Sequence, residues 1–232
     1  MIFRLVIATP VDGSSVTGPV CANGYATALA LLLRDNFEHV KLLPASITYS
    51  CDIARARNRL AAMVLREMPE ATHVLWWDSD VVPHDPSVVV RMLITGHDLI
   101  AAPYLRKMSP PAWSHRILDG RAKPTREDAE RHWMEVRCVA MGFTLTSTAL
   151  LRTMSEAAPA YIDKRTDGSR DVVRGIFDLM YLTDHEGDVV QESEDNSFCY
   201  RSPVRPAIYL EHGGVYPAVS HVGLHAFGPG VK

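Results

Sequence analysis

"THVLWWDSDVVPHDP", residues 72–86, runs from an apolar segment into two aspartates one residue apart and then into a turn. Val74, Leu75, Trp76 and Trp77 make a nearly pure apolar run, the pattern of a strand buried on both faces. Asp78 and Asp80 stand at its C-terminal end, where open α/β sheets bind their ligands. In extended backbone, residues two apart point to the same side, so both carboxylates face one site across Ser79. Two like charges so placed repel each other and need compensation. Hard oxygen donors of this kind suit Mg²⁺ or Mn²⁺, ions that also take diphosphate oxygens and water. The plainer use of either aspartate is to cap the turn that follows.

Outward from this stretch the chain alternates. "FRLVIA" (3–8) is a buried strand stopped by Thr9-Pro10, and "GYATALALLLRD" (24–35) reads as a helix. "HVKLLPAS" (39–46) is a second short strand. Asp52 then caps a helix through "IARARNRLAAMVLREM", whose Ile53, Ala56, Leu60 and Val64 recur at helical spacing. After the aspartates, Asp85-Pro86 starts another helix that Gly96 stops, and "DLIAAPYL" (98–105) is a further buried strand. The β-α-β-α-β-α-β order predicts an α/β fold: one Rossmann-like domain with a mainly parallel central sheet flanked by helices.

From Arg106 to Arg137 the chain is polar and proline-interrupted, with a short helix expected in "TREDAERHW". "CVAMGFTLTSTALLRTM" (138–154) resumes a strand and then a helix, and 160–193 is polar, glycine-punctuated and poorly periodic. "SEDNSFCYRS" reads as a short helix, and "AIYL" (207–210) and "AVSHVG" (218–223) as late strands.

Composition narrows the class. Of 232 residues, 47% are hydrophobic and 22% charged, ordinary for a globular protein able to bury a substantial core. The net charge of -3 gives no polybasic surface for nucleic acid or anionic membrane. The four cysteines form no CxxC pair, and scattered single thiols fit a reducing compartment. No stretch reaches the roughly 20 apolar residues of a membrane helix, and the N-terminal apolar run is too short for a signal segment. A soluble, cytoplasmic protein without membrane anchor or second catalytic domain is expected.

"VLWWDSDVVP" resembles the DxD segment of GT-A-fold glycosyltransferases, in particular family-2-like enzymes. The resemblance spans residues 3–154 and returns at 191–225, while 106–137 and 160–190 match nothing. It implies that Asp78 and Ser79 lie beside the nucleotide and that Asp78 and Asp80 hold a metal, Mn²⁺ or Mg²⁺, on the sugar-nucleotide diphosphate. "IATPVDG" resembles the first strand and loop, making Thr9, Pro10 and Val11 candidates for base contact. "IARARN" resembles an Ala-Arg-Asn segment that brings Arg57 toward the nucleotide or the aspartates. A solvated helix face is the other reading of Arg57, and it is the reading adopted for Arg55 and Arg59.

"MGFTLTSTALL" resembles the segment lining the donor-sugar and acceptor pocket. There Gly142 allows a close ligand approach or marks a bulge, and Ser147 or Thr148 serves as an N-cap. "SEDNSFCYR" resembles the acidic motif of inverting GT-A enzymes, with Asp195 as general base and Glu194 beside it. In a helix's first turn, Asp195 would be kept ionised by the dipole, although acidic residues there are also routine caps. His221, in "SHVGLHAFG", is the expected late metal ligand, with His225 and His212 as weaker candidates.

The function so implied is metal-dependent transfer of a sugar from a nucleotide-diphosphate sugar, UDP favoured and GDP open, to a hydroxyl of a carbohydrate or other acceptor. Residues 1–105 would form the nucleotide-binding half of the domain and 106–232 the acceptor-binding half. A retaining transferase, a sugar-nucleotide pyrophosphorylase and a non-catalytic carbohydrate-binding protein stand as alternatives. "TPVDGSSVTGP" supplies poorly the glycine-rich, basic loop that a pyrophosphorylase uses.

Overall fold

The computed structural model of the chain describes residues 2–11, 40–43, 46–49, 52–85, 87–106, 112–118, 123–164, 168–211 and 218–221. The helix expected over 24–35, His212 and His225 lie outside these residues. Three strands form the centre of the sheet: β1 (Phe3–Val11), β4 (His73–Trp77) and β6 (Leu99–Ala101). Each is apolar on both faces. Leu5 and Ile7, Leu75 and Trp77, and Ile100 join one core, while Val6 and Ala8, Val74 and Trp76, and Leu99 and Ala101 join the other. This two-residue alternation is what a sheet covered on both sides requires.

The cover comes from helices. α1 (Ile53–Glu67) contributes Leu60 and Val64 to the second core, and α4 (Thr148–Ala157) adds Leu151 and Met154. α2 (Val88–Ile94) packs Val88, Val89, Met92 and Leu93 on the opposite face. Asp52 caps α1 by accepting from the Arg55 N–H, and Ser147 caps α4 by accepting from the Leu150 N–H. α2 begins at Val88, later than the Asp85-Pro86 start, because Asp85 is used before the helix: it accepts from Ser87 and from Arg91. Gly96, at φ 75°, ends that segment where an L side chain would be strained.

Among the described residues the sheet has eight strands. β2 (Val40–Leu42) and β3 (Ser46–Tyr49) both pair with β1, one with each end of it, so the strand expected over 39–46 is the shorter β2, and a further strand begins at Ser46. β10 (Phe143–Ser147) lies antiparallel between β4 and β6. Beyond β6 come β15 (Ala207–Tyr209), parallel, and β8 (Trp133–Glu135), antiparallel. β1, β2, β3, β4, β6 and β15 thus run one way, and only β10 and β8 oppose them. The sheet is mainly parallel, with a strand from the second half of the sequence at its centre.

Residues 160–193, poorly periodic in sequence, fold into two hairpins. β11 (Ala160–Lys164) pairs with β12 (Arg170–Arg174), and β13 (Tyr181–Thr183) with β14 (Val189–Gln191). α3 (Arg126–Arg131) has a reciprocal cap between Thr125 and Asp128. α5 (Glu194–Arg201) is capped by Ser193 and buries Phe198 against Phe177, ring centroids 4.5 Å apart. Among the described residues, no helix is long and apolar enough to cross a membrane.

Candidate functional site

The strand carrying the aspartates is fixed by its two tryptophans. Buried indoles need partners for their N–H groups. Trp76 donates to the Thr146 hydroxyl at 2.9 Å, locking β4 to β10. Trp77 donates to the Val81 carbonyl at 2.7 Å, closing the Asp78-Ser79-Asp80 turn from beneath. The Asp78 N–H donates to the Gly142 carbonyl at 2.9 Å, and the Val81 N–H returns to the Asp78 carbonyl at 3.1 Å. The chain then enters β5 (Val81–Pro83), which pairs with β16 (Val219–His221).

Arg57 is the centre of the site. It emerges from α1 with a side chain only 1% exposed. One Nη donates to both Asp78 oxygens, at 3.0 and 3.1 Å, and the other to Glu194 at 2.8 Å and Asp195 at 2.5 Å. Its Nε has no partner among the described residues. Burial lowers the guanidinium's pKa, but Asp195, Asp78 and Glu194 more than offset this and hold it above its ordinary value. The structure therefore brings four expected site residues, Arg57, Asp78, Glu194 and Asp195, onto one contact network.

Asp195 departs from one expectation. It does lie in the first turn of α5, yet its pKa is raised to about 7. Burial is the main cause and outweighs Arg57, with Glu194 and Asp78 adding like-charge repulsion. Dipole stabilisation at a helix start is about 0.3–1 kcal/mol, too small to reverse that desolvation.

Of the arginines on either side of Arg57, Arg55 keeps a side chain 40% exposed, as a solvated face expects, while Arg59 is largely covered. Both hold Asp163, whose side chain is almost wholly buried: Arg55 donates to it at 2.6 Å, and Arg59 pairs with its other oxygen. Burial alone would raise Asp163's pKa, but these two cations keep it below the ordinary carboxylate range. The pair ties α1 to β11. Asn58 was not anticipated as a brace. It donates to Asp178 at 2.8 Å and Tyr161 at 3.1 Å, and accepts from the Phe177 N–H at 2.9 Å.

Thr9 and Pro10 lie inside β1, not past its end, because β3 extends the pairing to Val11. Ala8 faces Trp76 across the β1–β4 ladder, so Pro10 and Asp78, each two residues further on, both occupy the sheet's carboxyl edge. Thr9 is buried, and its hydroxyl finds no partner among the described residues. In "MGFTLTSTALL" the hydroxyls serve structure: Thr146 takes Trp76, Ser147 caps α4, and Thr148 donates to the Ala71 carbonyl at 2.6 Å. Gly142 makes room for protein. A Cβ there would lie 2.2 Å from the Tyr104 hydroxyl and 3.1 Å from Asp78. Tyr104, buried against this cluster, escaped the sequence reading; its place just past the end of β6 was the available signal.

The donor chemistry bears on a divalent ion. Arg57 takes two of the roughly four lone-pair sites of Asp78, leaving others on the same oxygens. Asp80, half-buried with Ser79 in the turn, adds a second hard carboxylate. The β5–β16 register sets His221 opposite Val81, the residue after Asp80. The two carboxylates are hard oxygen donors of the kind that suits a cation of the Mn²⁺ or Mg²⁺ type. Among the described residues, the three carboxylates whose oxygens lie within 4.8 Å of one another are elsewhere, Asp184, Glu186 and Asp188 on the exposed β13–β14 turn.

Two cavities meet at the start of α5. One, about 390 Å³, is bounded by Trp113, Arg116, Glu192 and Asp195, and the other, about 490 Å³, by Asp52, Arg55, Tyr161 and Asp178. Glu194 borders both.

This architecture is a mixed α/β, Rossmann-like fold. It is similar to the crystal structure of A197 from STIV, at 17% identity and a TM-score of 0.53, over 100% of this chain and 92% of that one. A glycosyltransferase involved in the glycosylation of the major capsid of PBCV-1 is similar at 8% identity and a TM-score of 0.35, over 65% of this chain and 62% of that one. The first likeness is one of fold, and the second carries no argument. No protein-family profile and no curated protein matches the chain.

Proposed function

We propose that the protein is a glycosyltransferase that moves a sugar from a nucleotide-diphosphate sugar, preferably a UDP-sugar, to an acceptor hydroxyl with inversion. The supporting observation is the Arg57 bridge, which joins the aspartate turn to the acidic helix start. In this reading Asp195 accepts the proton of the acceptor hydroxyl as its oxygen bonds to the anomeric carbon. The bond from that carbon to the diphosphate breaks, and its electron pair leaves with the diphosphate. A carboxylate with a pKa near 7 is well matched to taking up a proton at neutral pH.

Glu194 orients the base or the acceptor, and Arg57 fixes both carboxylates while neutralising part of their charge. Thr9, Pro10, Val11 and Ser79 border the nucleotide. Asp80, His221 and Asp78 would hold Mn²⁺ or Mg²⁺, which supplies positive charge opposite the departing diphosphate. The site's carboxylates outnumber its buried cation, so an anionic donor needs that extra charge.

Incubation with a panel of sugar nucleotides and Mn²⁺ tests the reading through donor hydrolysis and transfer. Asp195→Asn should abolish transfer while metal-linked nucleotide binding persists. Full transfer by that variant removes Asp195 from the role. An NMR readout of the product anomer separates inversion from retention.

A further inference from the structure

The 390 Å³ cavity has two unlike walls. One is Trp113, an indole left 40% exposed on a backbone that is held firmly. Leu105 bridges to Trp113, the Arg106 N–H donates to the Ala112 carbonyl, and the Ser114 N–H donates to the Tyr104 carbonyl. The Tyr104 N–H also donates to the Ser114 hydroxyl at 3.0 Å, and the Ala140 N–H to the Ser114 carbonyl. An exposed tryptophan on so constrained a segment is a preformed apolar plate.

The other wall is a fixed polar array. Glu192 is nearly buried and accepts from Arg116 at 3.0 Å and from Asn196 at 2.7 Å. The cavity runs on to Glu194 and Asp195. Its volume falls within the roughly 300–1,000 Å³ of small-molecule sites.

The chemistry selects the occupant. A ligand here needs an apolar face for Trp113 and several hydroxyl or amide groups for the opposing carboxylates and amide. Three carboxylates, Glu192, Glu194 and Asp195, line the space against two guanidiniums, Arg106 and Arg116, the second already paired with Glu192. A neutral ligand therefore suits it better than a strongly anionic one. A neutral pyranose ring meets these needs, with axial C–H groups on one face and hydroxyls around its rim.

We infer that the cavity between Trp113 and Glu192 is the acceptor subsite, and that it takes a neutral pyranoside stacked on Trp113 with one hydroxyl presented to Asp195. The word "acceptor" rests on the transferase reading above, whereas the ligand class rests on the cavity itself.

Saturation-transfer NMR on the full chain tests this with methyl hexopyranosides and their N-acetylamino analogues, with and without uridine diphosphate and Mn²⁺. Wild-type protein should saturate the protons on one ring face of at least one pyranoside. Trp113→Ala should weaken that binding at least tenfold, and Trp113→Phe should recover most of it. Glu192→Gln should also weaken it. Equal binding by Trp113→Ala overturns the inference, as does the absence of any wild-type signal at millimolar sugar. Trp113-dependent binding of nucleotides but not sugars overturns it too. Should no sugar nucleotide be hydrolysed while Trp113-dependent sugar binding is seen, the transferase reading falls and the pyranoside site stands.

Discussion

Arg57 and Asp195 meet at 2.5 Å, one from the second turn of α1 and the other from the first turn of α5. The same guanidinium reaches Asp78 with its other amino group. Three carboxylates are thus arranged around one buried cation, and losing it would leave them facing one another.

Replacing Arg57 should therefore be severe. Arg57→Met is expected to lose about 3–5 kcal/mol, the usual consequence of removing one partner from a buried ionic cluster. Part of that loss should return as pH falls below about 7, where Asp195 takes up its proton. Arg57→Lys keeps the charge but not the fork, and should fall between. Urea unfolding at pH 7 and pH 5 measures this; a methionine variant within 1 kcal/mol of wild type at pH 7 would refute it.

Asp195 makes a pH-dependent prediction of definite sign. Its folded pKa, about 7, lies above its ordinary value, so the native state binds the proton more tightly than the unfolded one. Its favourable contribution is present at low pH and is lost as pH rises through 7. Asp195→Asn should be neutral near pH 3, stabilising from pH 4 upward, and level off above pH 7 at roughly 2–4 kcal/mol. Transfer by the wild type should rise with the ionised fraction through about pH 7. Thermal melts of both proteins from pH 3 to 8 check the first claim; a pH-independent difference would count against it.

Gly142→Ala places a methyl 2.2 Å from the Tyr104 hydroxyl. The crowding should lower stability by about 1–3 kcal/mol. Adding Tyr104→Phe removes the nearest atom, so the double variant should regain part of the loss. Independent, additive losses would show that the two positions are not in contact.

Asp80→Ala should remove manganese-linked donor binding. Calorimetry with each candidate nucleotide, with and without Mn²⁺, should show metal-dependent heat for wild type and none for the variant. Undiminished heat would exclude Asp80 as a ligand.

The sequence made the sheet legible where both faces of a strand are buried. "FRLVIA", "HVLWW" and "DLIAA" each declare themselves through unbroken apolar runs, and Asp52 and Ser147 through capping. The antiparallel insertion of Phe143–Ser147 was not legible, because a buried strand carries no mark of its direction. The hairpins of 160–193 were missed since their outer residues, such as Ile162, Val172 and Val189, are exposed and break the alternation. Spacing and resemblance singled out Asp78, and resemblance alone Arg57 and Asp195, three side chains that the fold brings into contact. Asp163 could not be foreseen as the partner of Arg55 and Arg59, because pairing across more than a hundred residues leaves no local trace.

β10 enters the sheet between strands made long before it. A chain cut after Ala101, or one still emerging from the ribosome at that length, presents β4 and β6 with bare edges and leaves the Trp76 indole without Thr146. Such exposed, apolar edges are templates for association with other chains. The aspartate turn therefore matures only after translation has passed residue 147, and truncation short of that point should yield insoluble material rather than a smaller working protein.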